Sequence, residues 1–134
     1  MKSPGSFRGQ DAGRFAAPPP AATIIAALEA HAASWDGAIC HFVQSGKVTA
    51  IGYADLLREA RRYANLFRQH GINPGEVILI ILRHSPDLLY SFVGAMLAGA
   101  IPSFMPPATG KQDPLLYWKS HEKLFLRIGA GFPG

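Results

Sequence analysis

The sequence predicts an α/β fold with a parallel strand, helix, strand core, and three observations carry that reading. Residues 76–82 contain a short, continuous run of Val, Ile and Leu, bounded by Pro74-Gly75 before it and charge after it. Such a run describes a strand buried on both faces. Ser85-Pro86-Asp87 then combines an N-cap residue, a proline at the first helical position and a carboxylate at the positive helix end. Leu88, Leu89, Phe92, Val93, Met96 and Leu97 follow at helical spacing, while Gly94, Ala95 and Ala98 permit close approach of another backbone. Gly99 stops the helix, and residues 100–105 resume an extended pattern. Two strands joined by one helix run parallel, with a right-handed crossover.

The flanking segments extend this core on both sides. Residues 1–22 are rich in Gly, Pro, Ser and Ala, carry no apolar block of signal-peptide type, and are expected to form a flexible leader. Thr23 caps a helix bearing Ile24, Ile25 and Leu28 that ends near Trp35-Asp36-Gly37. Residues 38–43 and 47–51 are short strand candidates around Ser45-Gly46, an N-terminal β-hairpin. Across 53–70 the helical signal is strongest: Tyr53, Leu56, Leu57, Ala60, Tyr63, Ala64 and Phe67 share one face. Arg58, Glu59, Arg61, Arg62, Asn65 and Arg68 share the other. Gly71 ends that helix, and Asn73-Pro74-Gly75 turns into the first core strand. Asp113-Pro114 opens a last helix through Leu115, Leu116, Trp118, His121, Leu124, Phe125 and Ile128, ahead of an irregular tail, 129–134.

Composition bounds the function classes. With 49% hydrophobic and 16% charged residues, the 134-residue chain is globular and holds at most one domain. Its net charge of +4 comes from scattered residues, so neither nucleic acid nor anionic lipid is implied. The single Cys40 forms no internal disulfide, which agrees with a cytoplasmic location. Residues 88–105 are apolar, but Gly94, Gly99 and Pro102 fragment the run, so no membrane span is expected.

Each candidate chemical motif has a plainer account. Cys40 and His41 point to opposite faces of a strand and lack a second ligand pair, so a buried thiol is expected rather than a metal site. The arginines of 53–70 lack a second helix-turn-helix element or stacking aromatics, and a solvated face accounts for them. Thr109-Gly110-Lys111 fails as a phosphate loop, because Met105 stands where its first glycine belongs and Gln112 follows the lysine. Arg83-His84-Ser85 follows the first core strand, at the end where open α/β sheets bind ligands, but has no paired acid. His121 lacks a recognisable partner and is assigned a surface or packing role.

Taken in order, Tyr53-Ala54-Asp55-Leu56-Leu57, Ala64-Asn65-Leu66-Phe67, Gly71-Ile72-Asn73-Pro74-Gly75-Glu76-Val77, Ser85-Pro86-Asp87 and Gly94-Ala95-Met96-Leu97-Ala98-Gly99-Ala100-Ile101-Pro102 resemble one family. It is the N-terminal part of AMP-forming acyl-adenylating synthetases: acyl-CoA synthetases, fatty acyl-AMP ligases and adenylation domains. The resemblance covers 23–128 and implies a partial N-terminal subdomain of the adenylate-forming synthetase fold. Lys111-Gln112-Asp113-Pro114, Tyr117-Trp118 and Ser120-His121 look more like a fatty-acid-activating or synthetase-associated subgroup.

The family implies activation of a carboxylic acid with ATP and Mg²⁺ to an acyl adenylate, then transfer to coenzyme A or a carrier-protein thiol. Adenylation makes a carboxylate oxygen a good leaving group, and positive groups stabilise charge developing at the α-phosphate. The family's phosphate loop, nucleotide contacts, Mg²⁺ carboxylate and C-terminal lysine lie downstream of the matched region. No catalytic, cofactor-binding or metal-ligating residue is therefore carried over, and no cofactor is expected for this chain alone.

The Gly/Pro ending, 129–134, supplies no further strand, so the expectation is a truncated N-terminal fragment, inactive by itself. A two-strand parallel sheet leaves an edge open and apolar faces uncovered. The alternative is accordingly a non-catalytic α/β module that pairs with a partner, or with itself, through that edge.

Overall fold

The computed structural model describes residues 23–128, so the leader and tail assigned to 1–22 and 129–134 lie outside the described residues. The elements run α1 (Ile24–Ser34), β1 (Ala38–Gln44), β2 (Lys47–Gly52), α2 (Tyr53–Gln69), β3 (Val77–Ile80), α3 (Pro86–Leu97), β4 (Ile101–Phe104) and α4 (Pro114–Ile128). Two compact units result, Met1–Leu57 and Arg58–Gly134, with the division falling inside α2.

In the first unit, Thr23 Oγ1 accepts the Ala26 N–H at 3.1 Å and starts α1. Trp35 ends it in extended backbone, its N–H bonded to His31 O at 2.9 Å. β1 and β2 pair antiparallel, with Gln44 opposite Lys47 across the two-residue turn. Ser45 and Gly46 both have positive φ, 50° and 76°, as the twist of a two-residue hairpin requires. Packing is concentrated at the base: Ile51 is buried, whereas Val43 and Val48 at the tip are exposed. Cys40, opposite Ile51, is half-buried, which corrects the expected buried thiol. A two-stranded hairpin has too little sheet to enclose it.

The second unit holds the parallel core. β3 pairs with β4 in the register Val77↔Ile101 to Ile80↔Phe104, and α3 makes the crossover. Paired residues share a face, so Ile80 and Phe104 look to one side and Leu79, Ile81 and Met105 to the other. α3 serves the first side, stacking Phe92 on Phe104 with ring centroids 4.8 Å apart. α4 serves the second: Met105, Tyr117 and Phe125 cluster there, packed by Leu79, Ile81 and Ala108.

Three expectations require correction. β3 covers Val77–Ile80 instead of 76–82, and only Ile80 within it is buried. Among the described residues β3 has one strand neighbour, so half of its surface gains no sheet cover. On α3 the tightest face is the small one: Ser91, Val93, Gly94 and Ala95 are buried, while Leu88, Leu89, Phe92, Met96 and Leu97 are half-buried. Small residues let a facing helix approach closely, and a β-carbon on Gly94 would sit 2.7 Å from Ala60 O and 2.5 Å from Tyr63 Cβ. On α4, Tyr117 and Phe125 are buried, but Leu115, Leu116, Trp118 and Leu124 are exposed.

Ser85 has the extended backbone of an N-cap yet makes no side-chain capping bond, so Pro86 and Asp87 carry the start of α3. At α4 the device works as expected, with Asp113 Oδ1 accepting the Leu115 N–H at 2.8 Å. No helix among the described residues is long and apolar enough to cross a membrane.

Candidate functional site

The end of the parallel sheet where ligands bind in open α/β folds is the carboxyl end of β3 and β4. Here β3 runs out into Ile81 and Leu82, then Arg83 and His84, both exposed. β4 runs out into Met105 and Pro106, and α4 folds back over that exit. The Tyr117 hydroxyl donates a hydrogen bond to Pro106 O, tying the helix to the loop. His121 Nδ1 lies 2.6 Å from Tyr117 O. A carbonyl only accepts, so Nδ1 carries the proton and the lone pair of the neutral ring is on Nε2. His121 packs between the rings of Tyr117 and Phe125, at 4.7 and 6.1 Å, and Trp118 lies 6.0 Å from Phe125.

The sequence assigned His121 to surface or packing, and the structure makes it one ring in an aromatic nest. Tyr117, which the helical pattern passed over, is the residue that organises the nest. The i, i+4, i+8 series Tyr117, His121, Phe125 was the available signal. Ser120 Oγ donates to Tyr117 O at 2.8 Å and lies 3.1 Å from His121 Nδ1. Both polar groups of this pair are thus turned to the helix backbone.

The remaining motif candidates stay apart. Cys40 and His41 are in the first unit, with His41 exposed opposite Ala50. Thr109-Gly110-Lys111 is closed into a turn: Gln112 N–H bonds Thr109 O at 3.0 Å, and Gln112 Oε1 accepts the Thr109 N–H at 3.1 Å. That uses a donor a phosphate cradle would need. Among the described residues no group of three His, Cys, Asp or Glu gathers at metal-binding distance.

Behind the sheet, α2 and α3 are joined by polar contacts as well as by the Gly94 approach. The Tyr63 hydroxyl donates to Asp87 Oδ1 at 3.0 Å. Burial, and then that carboxylate, push the Tyr63 pKa above its ordinary value. Arg68 Nη2 donates to Leu97 O at 2.8 Å, a cation at the negative end of α3. Arg62 pairs with Glu59 at 3.2 Å, so the arginine face of α2 is partly self-neutralised.

This strand, helix, strand core with one helix on each face coincides with a known family region. Residues 28–113 match the family model described as AMP-binding enzyme. The chain belongs to that family. A 4-coumarate–CoA ligase-like protein of Oryza sativa subsp. japonica is 33% identical over 95 residues, covering 70% of this chain and 16% of the relative. A 3-hydroxybenzoate–CoA/4-hydroxybenzoate–CoA ligase of Thauera aromatica is 26% identical over 83 residues, 62% of this chain and 16% of that protein. Among solved structures, a fatty acyl-adenylate ligase from L. pneumophila, in complex with acyl adenylate and pyrophosphate, superposes with a TM-score of 0.67 at 20% identity. It covers 76% of this chain and 18% of that one. An adenylation domain of a keto acid-selecting NRPS module gives a TM-score of 0.64 at 20% identity, with 79% of this chain and 20% of that one covered.

The chain therefore corresponds to the N-terminal part of an adenylate-forming enzyme, and its mixed α/β fold is that of these structures. It spans about a sixth of the length of the curated relatives it matches.

Proposed function

We propose that this chain is a structural part of a ligase that activates a carboxylic acid with ATP and Mg²⁺ as an acyl adenylate. The activated acyl group then passes to a thiol of coenzyme A or of a carrier protein, in the cytoplasm. The observation that carries this is the match of 28–113 to the AMP-binding enzyme model. A fatty acid is the preferred acid, supported by the resemblance of 111–121 to fatty-acid-activating members. By itself the chain is a scaffold without acid-activating activity: the family's nucleotide-handling parts lie downstream of the matched region, and the polar groups of the β3/β4 exit are turned to backbone.

ATP–pyrophosphate exchange tests this in two arms, using a panel of fatty, aryl and keto acids. The chain alone is expected to give no exchange with any acid, and robust exchange would overturn the scaffold role. The chain expressed with its adjoining coding sequence is expected to exchange with fatty acids. A preference for aryl acids there would overturn the acid assignment, and silence with every acid would overturn the ligase reading.

One observation favours a second reading, a module that pairs through uncovered apolar surface. Leu115 and Leu126 on α4 are 79% and 73% exposed, and Ile101 and Phe104 on β4 are each 54% exposed. Sedimentation of the chain decides it, since a monomer at all concentrations excludes self-pairing.

A further inference from the structure

The first unit contains a cleft that neither the family match nor the proposed ligase reaction uses. Its volume is about 390 Å³, and it lies between the end of α1 and the start of α2, lined by Ala32, Ala33, Ser34, Trp35, Asp36, Gly52, Tyr53, Ala54 and Asp55. Two features define its chemistry. Its aromatic walls, Trp35 and Tyr53, have ring centroids 5.6 Å apart at 52°, and His31 stacks on Tyr53 at 5.2 Å. Trp35 is spread over Gly37 so closely that a β-carbon there would fall 2.2 Å from the indole. The only charged lining residues are Asp36 and Asp55, two carboxylates and no cation, in a chain whose net charge is +4.

Tilted aromatic faces present negative quadrupole, and carboxylates beside them add formal charge of the same sign. An anion is repelled by every wall, and a neutral apolar molecule gains nothing from the two aspartates. An organic cation is attracted by both, and an alkylammonium head with a short carbon body is small enough for the cleft. We infer that this cleft is a binding site for a small alkylammonium ion, with Trp35 and Tyr53 as the aromatic walls and Asp36 and Asp55 as counter-charges.

Choline chloride is the probe, and 3,3-dimethylbutan-1-ol, its uncharged carbon isostere, is the control. The reporters are the indole N–H signals of the two tryptophans, Trp35 in the cleft and Trp118 on α4. The Trp35 signal is expected to move saturably with a dissociation constant of about a millimolar, while Trp118 stays still and the isostere moves neither. Asp36→Asn is expected to weaken binding about two- to fivefold, and Asp36→Asn with Asp55→Asn about tenfold, at an unchanged Trp118 signal. Asp55 also sits in the first turn of α2. If the double variant fails to fold, exposed Asp36 alone decides the charge requirement. No saturable response to choline overturns the site. So does equal binding of the isostere, or wild-type affinity in folded Asp36→Asn.

Discussion

Replacing Gly94 by alanine places a methyl group where α2 and α3 leave none of the required space. The new carbon would lie 2.5 Å from Tyr63 Cβ, 2.7 Å from Ala60 O and 3.2 Å from Ala64 N. Two of these are backbone atoms and the third is fixed to its Cα, so relief requires moving one helix against the other. Overpacking of this kind costs about 1 to 3 kcal/mol, and the rigidity of the neighbours puts Gly94→Ala at the upper end. Alanine returns about 1 kcal/mol through its higher helix propensity. The net expectation is a loss of about 2 kcal/mol, or about 8–16 °C in Tm for a domain of this size. Thermal and urea unfolding followed by far-ultraviolet circular dichroism measure it directly. Gly110→Ala is the matched control, because nothing lies within 4 Å of its added carbon. It is expected to leave stability unchanged or raise it slightly. If Gly94→Ala is as stable as the parent, small-residue packing between α2 and α3 is refuted.

The Tyr63 hydroxyl has a raised pKa, so its contribution is fully present below the unfolded value of 10.0 and is lost as pH rises through the higher folded value. Tyr63→Phe is expected to flatten the fall in stability above about pH 10, where tyrosine ionises; identical pH slopes in urea titrations would contradict this. Arg68→Ala removes the donor to Leu97 O and is expected to cost about 0.5–1.5 kcal/mol, with fraying of the last turn of α3 visible by amide exchange. Unchanged exchange at 97–99 would show the contact to be idle. Asp113→Ala removes the acceptor for Leu115 N–H and is expected to cost about 1 kcal/mol, lowering helicity in α4. A circular dichroism signal equal to the parent's would argue against that cap.

What could be read in advance was whatever depends on local chemistry. Pro86 and Pro114 mark the starts of α3 and α4 because the first helical turn tolerates a missing N–H, and both helices begin there. Ser45-Gly46 shows as a turn because both residues tolerate positive φ better than the β-branched valines flanking them. Burial was less legible, since it depends on which neighbours a residue finds. Leu115 and Leu116 carry the same apolar signal as Phe125, yet only Phe125 meets Met105. Tyr63 was placed on the correct face of α2, but its partner Asp87 is 24 residues away and read only as a helix-dipole carboxylate. The aromatic cleft was missed for a similar reason. Trp35 looked like a helix end and Tyr53 like a helix face, and only the hairpin between them brings their rings together.

The crossover is closed by two backbone bonds outside the regular ladder: Gly75 N–H to Gly99 O and Ile101 N–H to Glu76 O, both at 2.8 Å. Both join segments that α3 separates, so neither can form until that helix has turned the chain back on itself. The ordering cost is then met once, for a single loop, and the four ladder pairs Val77↔Ile101 to Ile80↔Phe104 add at little further entropic penalty. Kinetically the sheet is a late product of a local helix, and the rate at which the second unit acquires its β-structure is set by α3.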